Sequence, residues 1–119
     1  DITSAMVAGA KFNIDEMLND VFDGHICATD FAEYLVLKGL PFREAHAITG
    51  KAVQLAEKKD ALLAELSLTE LKKLSKKIEK DVYKYLDPMT SISAKTSVGG
   101  TAPSQVKKQI IRAKMDLKI

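Results

Sequence analysis

The 119-residue sequence has no tryptophan, and only 6% of its residues are aromatic. Its single cysteine, Cys27, has no second cysteine with which to form an internal disulfide. No apolar run approaches the roughly 18 residues of a membrane-spanning helix, and no signal-peptide pattern opens the chain. These absences argue against a disulfide scaffold, a helical membrane protein and a secreted protein. We therefore expect a cytosolic setting.

The chain also lacks an excess of either charge, because 18 basic residues stand against 16 acidic ones and the formal net charge is +2. A balance this close gives no reason to expect a nucleic-acid or membrane partner. Hydrophobic residues make up 46% of the chain, and with so few aromatics the core must consist mainly of Leu, Ile, Val and Ala. That composition is typical of packed helices, and the length fits one domain.

The stretch from Thr29 to Lys59 predicts two amphipathic helices joined by a tight turn. Thr29 is placed to cap the first helix with its hydroxyl. Gly39 is free to adopt the left-handed conformation that ends a helix, and Pro41 has the φ that starts the next one. Apolar residues recur at three- and four-residue intervals, so the two helices should pack face to face. The predicted contact residues are Phe31, Tyr34 and Leu35 on the first helix and Ala45, Ile48, Ala52 and Leu55 on the second.

Two further helices are predicted before this hairpin. Residues 1–11 carry an apolar stripe of Ile2, Ala5, Met6 and Gly9, for which the sequence offers no evident partner. Asn13 and Glu16 form a capping box that starts the next helix, which should end near Gly24. Its predicted buried residues are Ile14, Met17, Leu18 and Val21.

Capping signals divide the second half of the chain into three short helices and a longer final one. Ser67 and Glu70 form a second capping box, Asp87 precedes a proline at a helix start, and Thr101 is placed to cap the last helix. The predicted helices cover residues 68–74, 79–86, 88–94 and 101 to the chain end. The last helix has a basic outer face but no Trp or Phe anchor, so we expect core packing rather than membrane binding. Its predicted buried stripe is Val106, Ile110, Ala113 and Leu117.

Few residues of the sequence suggest a catalytic, metal-binding or phosphate-binding role. His25, Cys27 and Asp30 were the only conceivable metal ligands, but their spacing matches no standard zinc pattern, and we predict no metal site. His46 lies beside an apolar helix face, where a histidine is usually a structural side chain rather than a general base. The glycines of residues 96–100 match neither a dinucleotide-binding nor a Walker pattern, so we interpret this segment as a conformational loop.

A row of lysines is the only basic patch worth testing for nucleic-acid binding. Lys72, Lys76, Lys80 and Lys84 would line one side of a continuous helix. The row lacks arginine and interleaved aromatic residues, so we predict a solvated surface and keep nucleic-acid binding as the weaker alternative.

Two runs carry a family resemblance. Residues 28–51, ATDFAEYLVLKGLPFREAHAITGK, resemble the segment that opens the C-terminal domain of the argininosuccinate lyase family. Residues 97–103, SVGGTAP, resemble the closing Gly-Gly-Thr-Ala-Pro segment of the same domain, and a helix follows them. The resemblance implies an all-α fold, a small bundle of helix-turn-helix pairs with about six to seven helices.

The resemblance also implies an activity for the whole enzyme. Argininosuccinate would be cleaved to arginine and fumarate by β-elimination, a step of arginine biosynthesis that uses no cofactor, in a homotetramer whose active sites combine three subunits. A base would remove the proton beside a carboxylate, and the resulting aci-carboxylate would expel the guanidinium. The family's Gly-Ser-Ser-x-Met-Pro-x-Lys-x-Asn loop and its key histidine segment have no match in this sequence. We therefore carry over no catalytic, cofactor-binding or metal-binding residue.

The resemblance further divides the chain. Residues 1–12 correspond to the end of a long helix of the enzyme's central bundle, and residues 13–119 to the C-terminal domain. Because the sequence starts at Asp1 within a predicted helix, we expect an excised piece that is inactive alone and that dimerises through residues 1–11. Three alternatives stay open: another lyase of the fumarase and aspartase superfamily, a lens crystallin of the delta type derived from this lyase, and an independent helical interaction module.

Overall fold

The computed structural model describes residues 1–23 and 25–118, and of residues 22 and 23 it describes the backbone alone. Every regular element in that part of the chain is helical, which confirms the all-α prediction. The described residues contain eight α-helices, rather than six to seven, and one short 3₁₀ turn. The helices are α1 (Ile2–Gly9), α2 (Ile14–Asp23), α3 (Ala28–Leu37), α4 (Phe42–Lys58), α5 (Leu68–Leu74), α6 (Val82–Tyr85), α7 (Pro88–Ala94) and α8 (Pro103–Leu117), with the 3₁₀ turn at Leu63–Glu65.

The hairpin of α3 and α4 is the centre of the fold, as the sequence predicted. Gly39 has φ +85°, and the N–H of Leu40 donates to the carbonyl of Leu35 at 3.1 Å, so the chain reverses within a few residues. The facing side chains of both helices are buried, with small residues on α4 allowing a close approach. They are Phe31, Tyr34 and Leu35 on α3 and Ala45, Ile48, Ala52 and Ala56 on α4.

One cap of this hairpin was predicted wrongly. The helix α3 begins at Ala28, so Thr29 lies inside its first turn, and Cys27 occupies the capping position without a side-chain hydrogen bond. A preceding turn, in which the N–H of Ala28 donates to the carbonyl of His25 at 2.9 Å, starts the helix earlier than the hydroxyl signal indicated.

The second half of the chain covers the hairpin with short elements. Its residues in the main hydrophobic core are Leu63, Leu66, Leu71, Ile78, Val82 and Leu86. The Ser67 hydroxyl accepts from the N–H of Glu70 at 3.3 Å, while the Glu70 carboxylate accepts from the N–H of Ser67 at 2.9 Å, as a capping box requires. The predicted break at Ser75 is also confirmed, because its backbone is extended there. The helix predicted over 79–86 is shorter and covers Val82–Tyr85 alone.

The start of α7 agrees with the prediction and the start of α8 does not. Asp87 accepts hydrogen bonds from the N–H groups of Met89 and Thr90, and Pro88 is the first helical residue. These bonds to Thr90 and Met89 hold the pKa of the Asp87 carboxyl below its usual value. At α8 the capping position belongs to Ala102 rather than Thr101, because the N–H of Val106 already bonds to the Ala102 carbonyl.

The largest differences concern two predicted buried stripes. On α2, exposure ranges from 47% for Leu18 to 72% for Ile14, with Met17 between them, and Val21 is half-buried. On α8, Val106, Ile110, Ala113 and Leu117 are all exposed. Within this chain the prediction of burial is wrong for Ile14, Met17 and Leu18 and for the whole α8 stripe, whereas Val21 is partly covered and lines a cavity with Leu63 and Leu86. The predicted end of α2 at Gly24 lies outside the described residues.

Candidate functional site

The residues considered as metal ligands have other roles in the fold. Cys27 is buried in the core, and burial together with the nearby carboxylates raises the pKa of its thiol, so the reactive thiolate is disfavoured. Asp30 accepts hydrogen bonds from Ser91 and Lys95. Within residues 1–23 and 25–118, no three His, Cys, Asp or Glu side chains are grouped as metal ligands. That the protein binds no metal stays a prediction.

His46 lies on the exposed side of α4, one turn after Phe42. The two rings are 6.1 Å apart between centroids and tilted by 37°. A general base must reach a substrate proton in an enclosed polar site, and this open helix surface provides no such enclosure. The geometry agrees with a structural interpretation of His46.

The lysines at 72, 76, 80 and 84 are all exposed, as predicted. They do not share one side of a helix, because α5 ends at Leu74 and α6 begins at Val82. The extended backbone at Ser75 separates Lys72, in α5, from the three lysines that follow it. The predicted break at Ser75 therefore prevents a continuous row, and the predicted solvated surface is confirmed.

A polar cluster that the sequence did not reveal joins α3 to the segment before α6. The buried Tyr34 donates its hydroxyl proton to Asp81 Oδ1 at 2.7 Å and accepts from the backbone N–H of Glu79 at 2.9 Å. Lys38 Nζ lies 3.0 Å from Asp81 Oδ2. The Tyr34 hydroxyl and the Lys38 ammonium lower the pKa of the Asp81 carboxyl, in that order of importance. A buried tyrosine needs a hydrogen-bond partner for its hydroxyl, and that requirement was the one indication of this cluster in the sequence.

A second polar cluster holds α7 on α3. Asp30 accepts from Ser91 Oγ and from Lys95 Nζ, each at 2.9 Å, and Lys95 also reaches Glu33 at 3.3 Å. The hydrogen bonds to Asp30 and then to Glu33 raise the pKa of Lys95. A cleft of about 270 Å³ lies beside them, with Tyr85 on its wall. Because Lys95 pairs with both carboxylates of α3, the cluster joins the end of α7 to α3.

The loop before α8 folds back on its own backbone. Gly99 has φ +81°, and the N–H of Gly100 donates to the Ser97 carbonyl at 2.9 Å. A Cβ on Gly100 would lie 2.2 Å from the Lys95 carbonyl oxygen, so only glycine fits there. Because this N–H bonds within the loop, it does not point toward a phosphate, in agreement with the conformational interpretation.

Three helices leave apolar faces uncovered. No residue of α1 or α8 is buried, and the apolar face of α2 forms an open patch. The patch is lined by Phe12, Ile14, Met17, Leu18 and Val21. A contiguous apolar surface that is exposed marks a contact site, so these helices, rather than a cleft, are the candidate functional surface.

Comparison with known proteins decides the family. The profile described as "Argininosuccinate lyase C-terminal" matches residues 25–93, which is more than half of the chain. The chain belongs to the argininosuccinate lyase family. The matched segment of this lyase family runs from the turn before α3 into α7, so it contains the hairpin, the Tyr34–Asp81 cluster and all of the second cluster except Lys95.

Bacterial argininosuccinate lyases align beyond that segment. The enzyme of Nitratiruptor sp. is 59% identical over 88 residues, covering 73% of this chain and 19% of the relative. The enzymes of Symbiobacterium thermophilum and Nitrosomonas europaea are 44% and 43% identical and cover 94% and 98% of this chain. The chain spans about a quarter of the length of these two relatives, 24% and 25%. None of the helices described here is long and apolar enough to cross a membrane.

Proposed function

We propose that this chain forms the C-terminal structural domain of an argininosuccinate lyase. The whole enzyme would cleave argininosuccinate to arginine and fumarate by β-elimination, without a cofactor, in arginine biosynthesis in the cytoplasm. The observation that carries the proposal is the pattern of alignment. Relatives with this activity in their names match nearly all of the chain, yet the chain accounts for only about a quarter of each.

The chain itself would supply no catalytic group. A β-elimination needs a base beside the substrate's acidic proton and preorganised groups for its carboxylates. Here the charged side chains of the two polar clusters, Asp30, Lys38, Asp81 and Lys95, form ion pairs with one another. The serine-loop sequence that would carry the base has no match in residues 1–119. Both observations support a domain that stabilises the enzyme and positions other segments.

The uncovered helix α1 would connect this domain to the remaining three-quarters of the enzyme. We assign residues 1–12 to the end of a long helix in the central bundle and residues 13–119 to the domain proper. The exposure of Ile2, Met6 and Val7 on α1 supports this division, because an apolar helix surface is stable when it packs against others. A homotetramer is the expected assembly of the whole enzyme. The chain alone should self-associate through the same stripe, and Met6→Lys should prevent that contact.

The test compares three proteins in an assay of fumarate release from argininosuccinate. They are the full-length enzyme containing this domain, the same enzyme ending at Phe12 so that residues 13–119 are removed, and the 119-residue chain. We expect activity from the first alone. Fumarate release by the isolated chain above background would contradict the structural role, and an inactive but folded full-length enzyme would contradict the proposed activity.

A further inference from the structure

The helix α2 has an apolar stripe bordered by negative charge. Ile14, Met17, Leu18 and Val21 recur at intervals of three and four residues and so share one face. The remaining positions include four acidic residues, and none of the ten residues is basic. The acidic residues are Asp15, Glu16, Asp20 and Asp23.

The helix α8 has the complementary pattern. Val106, Ile110, Ala113 and Leu117 share one exposed face by the same spacing. Four of the other positions are basic and one is acidic. The basic residues are Lys107, Lys108, Arg112 and Lys114, and the acidic one is Asp116. Each helix therefore has an apolar stripe that a partner could cover, and the charged residues beside the two stripes have opposite signs.

We infer that α8 of one copy of this chain packs on α2 of a second copy, and α2 of the first on α8 of the second. Within one copy seven of these eight stripe residues are exposed and Val21 is half-buried, so the chain leaves most of both stripes uncovered. A two-fold axis between two copies would create the α2–α8 contact twice from one complementary pair of faces. The inference concerns the surface of the chain and does not depend on the proposed enzymatic activity.

The buried area is sufficient for a specific interface. Seven of the eight stripe residues are exposed and Val21 is half-buried, so covering them removes roughly 50 Å² of apolar surface for each side chain on average. Two such contacts would bury about 800 Å² of apolar surface, and the flanking charged side chains bring the total beyond the ~1,000 Å² that a specific interface requires.

A protein helix fits α8 better than a membrane or a nucleic acid does. The apolar stripe of α8 carries no Trp or Phe, the residues that anchor amphipathic helices at a bilayer. Nucleic-acid binding would use the lysines and arginine but would leave the stripe of Val106 and Ile110 in water. An acidic amphipathic helix covers both parts of the surface, and α2 is such a helix.

Two neighbouring isoleucines provide a matched pair of variants. Ile110 belongs to the stripe, whereas Ile111 lies about 100° further around α8 and outside the stripe, and their exposed fractions are 51% and 50%. The experiment uses the 119-residue chain carrying Met6→Lys, so that α1 does not contribute to association. Sedimentation equilibrium then gives the dimer dissociation constant. We expect Ile110→Glu and, on α2, Leu18→Glu to raise it at least about tenfold, and Ile111→Glu to leave it within about twofold.

Mixing the two weakened variants identifies the pairing. In a dimer of one Leu18→Glu chain and one Ile110→Glu chain, one of the two α2–α8 contacts is intact, so the mixture should associate more tightly than either variant alone. Because Leu18 and Ile110 are exposed, both variants should fold, and circular dichroism checks that they do. A monomer at all concentrations, an equal effect of Ile111→Glu, or no gain on mixing would each overturn the inference. Binding of the unsubstituted chain to anionic vesicles with loss of the dimer would also overturn it, in favour of a membrane.

Discussion

The three tyrosines of this chain provide a graded test of its buried hydrogen bonds. The Tyr34 hydroxyl has two partners, Asp81 and the backbone N–H of Glu79. The Tyr83 hydroxyl donates to one, the carbonyl of Leu66, at 2.7 Å. The Tyr85 hydroxyl has none among the described residues, although its ring lies 5.0 Å from that of Tyr34. Replacing each tyrosine by phenylalanine removes the hydroxyl and keeps the ring.

The expected losses of stability follow the number of bonds. An intramolecular hydrogen bond contributes a net stability of about 0.5–1.5 kcal/mol. When the bond is removed, a donor or acceptor left buried without a hydrogen-bond partner costs about as much again or more. Water can reach Asp81, whose side chain is 43% exposed, so part of the Tyr34 loss is recovered. We expect the free energy of unfolding to fall by about 1.5–2 kcal/mol for Tyr34→Phe and about 1 kcal/mol for Tyr83→Phe. For Tyr85→Phe it should change by less than about 0.5 kcal/mol.

Urea unfolding monitored by circular dichroism measures these differences. If the slope of unfolding free energy against urea is unchanged, the shift in midpoint reports stability directly. For a domain of this size the Tyr34 variant should also melt about 6 °C or more below the parent. A Tyr85→Phe variant as destabilised as Tyr34→Phe would refute the reasoning, because the ring contacts rather than the hydroxyl bonds would then account for the loss.

Three other changes test local features. Ser67→Ala removes the N-cap acceptor of α5 and should lower the unfolding free energy by about 1 kcal/mol, whereas Thr69→Ala in the same turn serves as a control. Gly50→Ala should raise the melting temperature, because Gly50 is exposed inside α4, nothing lies within 4 Å of an added Cβ, and alanine favours a helix by up to about 1 kcal/mol. Lys59 and then Ser67 lower the pKa of Glu70 to about 2, so a carboxyl carbon titration by NMR should give that value. Because the pKa of Glu70 in the folded protein lies below its usual value of 4.5, the stabilisation from ionised Glu70 is present at neutral pH and is lost as pH falls through about 2.

The features that could be predicted from the sequence are those whose cause lies within about four residues. The Gly39 turn, the Ser67 capping box and the Asp87–Pro88 helix start all have local hydrogen bonds as their physical basis. The predicted caps at Thr29 and Thr101 are wrong, and the cause is again local. At both positions a neighbouring backbone turn provided the helix start, and a hydroxyl signal does not report that competition.

The polar clusters could not be predicted, because they join residues that are distant in sequence. Tyr34 and Asp81 are separated by 47 residues, and Asp30 and Ser91 by 61. Before the fold brings them together, each of these residues looks like an ordinary surface or helix-start side chain. The sequence indicates that a buried Tyr34 needs a partner for its hydroxyl. It does not indicate which of the 16 acidic residues is that partner.

The stripes of α2 and α8 show a different limit. Their apolar periodicity is as clear as that of α4, yet Ala45 and Ala52 are fully buried while Ile14 and Ile110 are exposed. Periodicity shows that a helix has a face to cover, and the free energy of covering it is the same whether the partner lies in the same chain or another. The small residues of α4 bring α3 close, and the hairpin turn holds the two together, so that contact forms locally. No comparable turn joins α2 to α8, and their opposite charges favour association without specifying a copy. Periodicity within the sequence therefore does not identify the surface that covers each face, and the chain spans only about a quarter of the length of these two relatives.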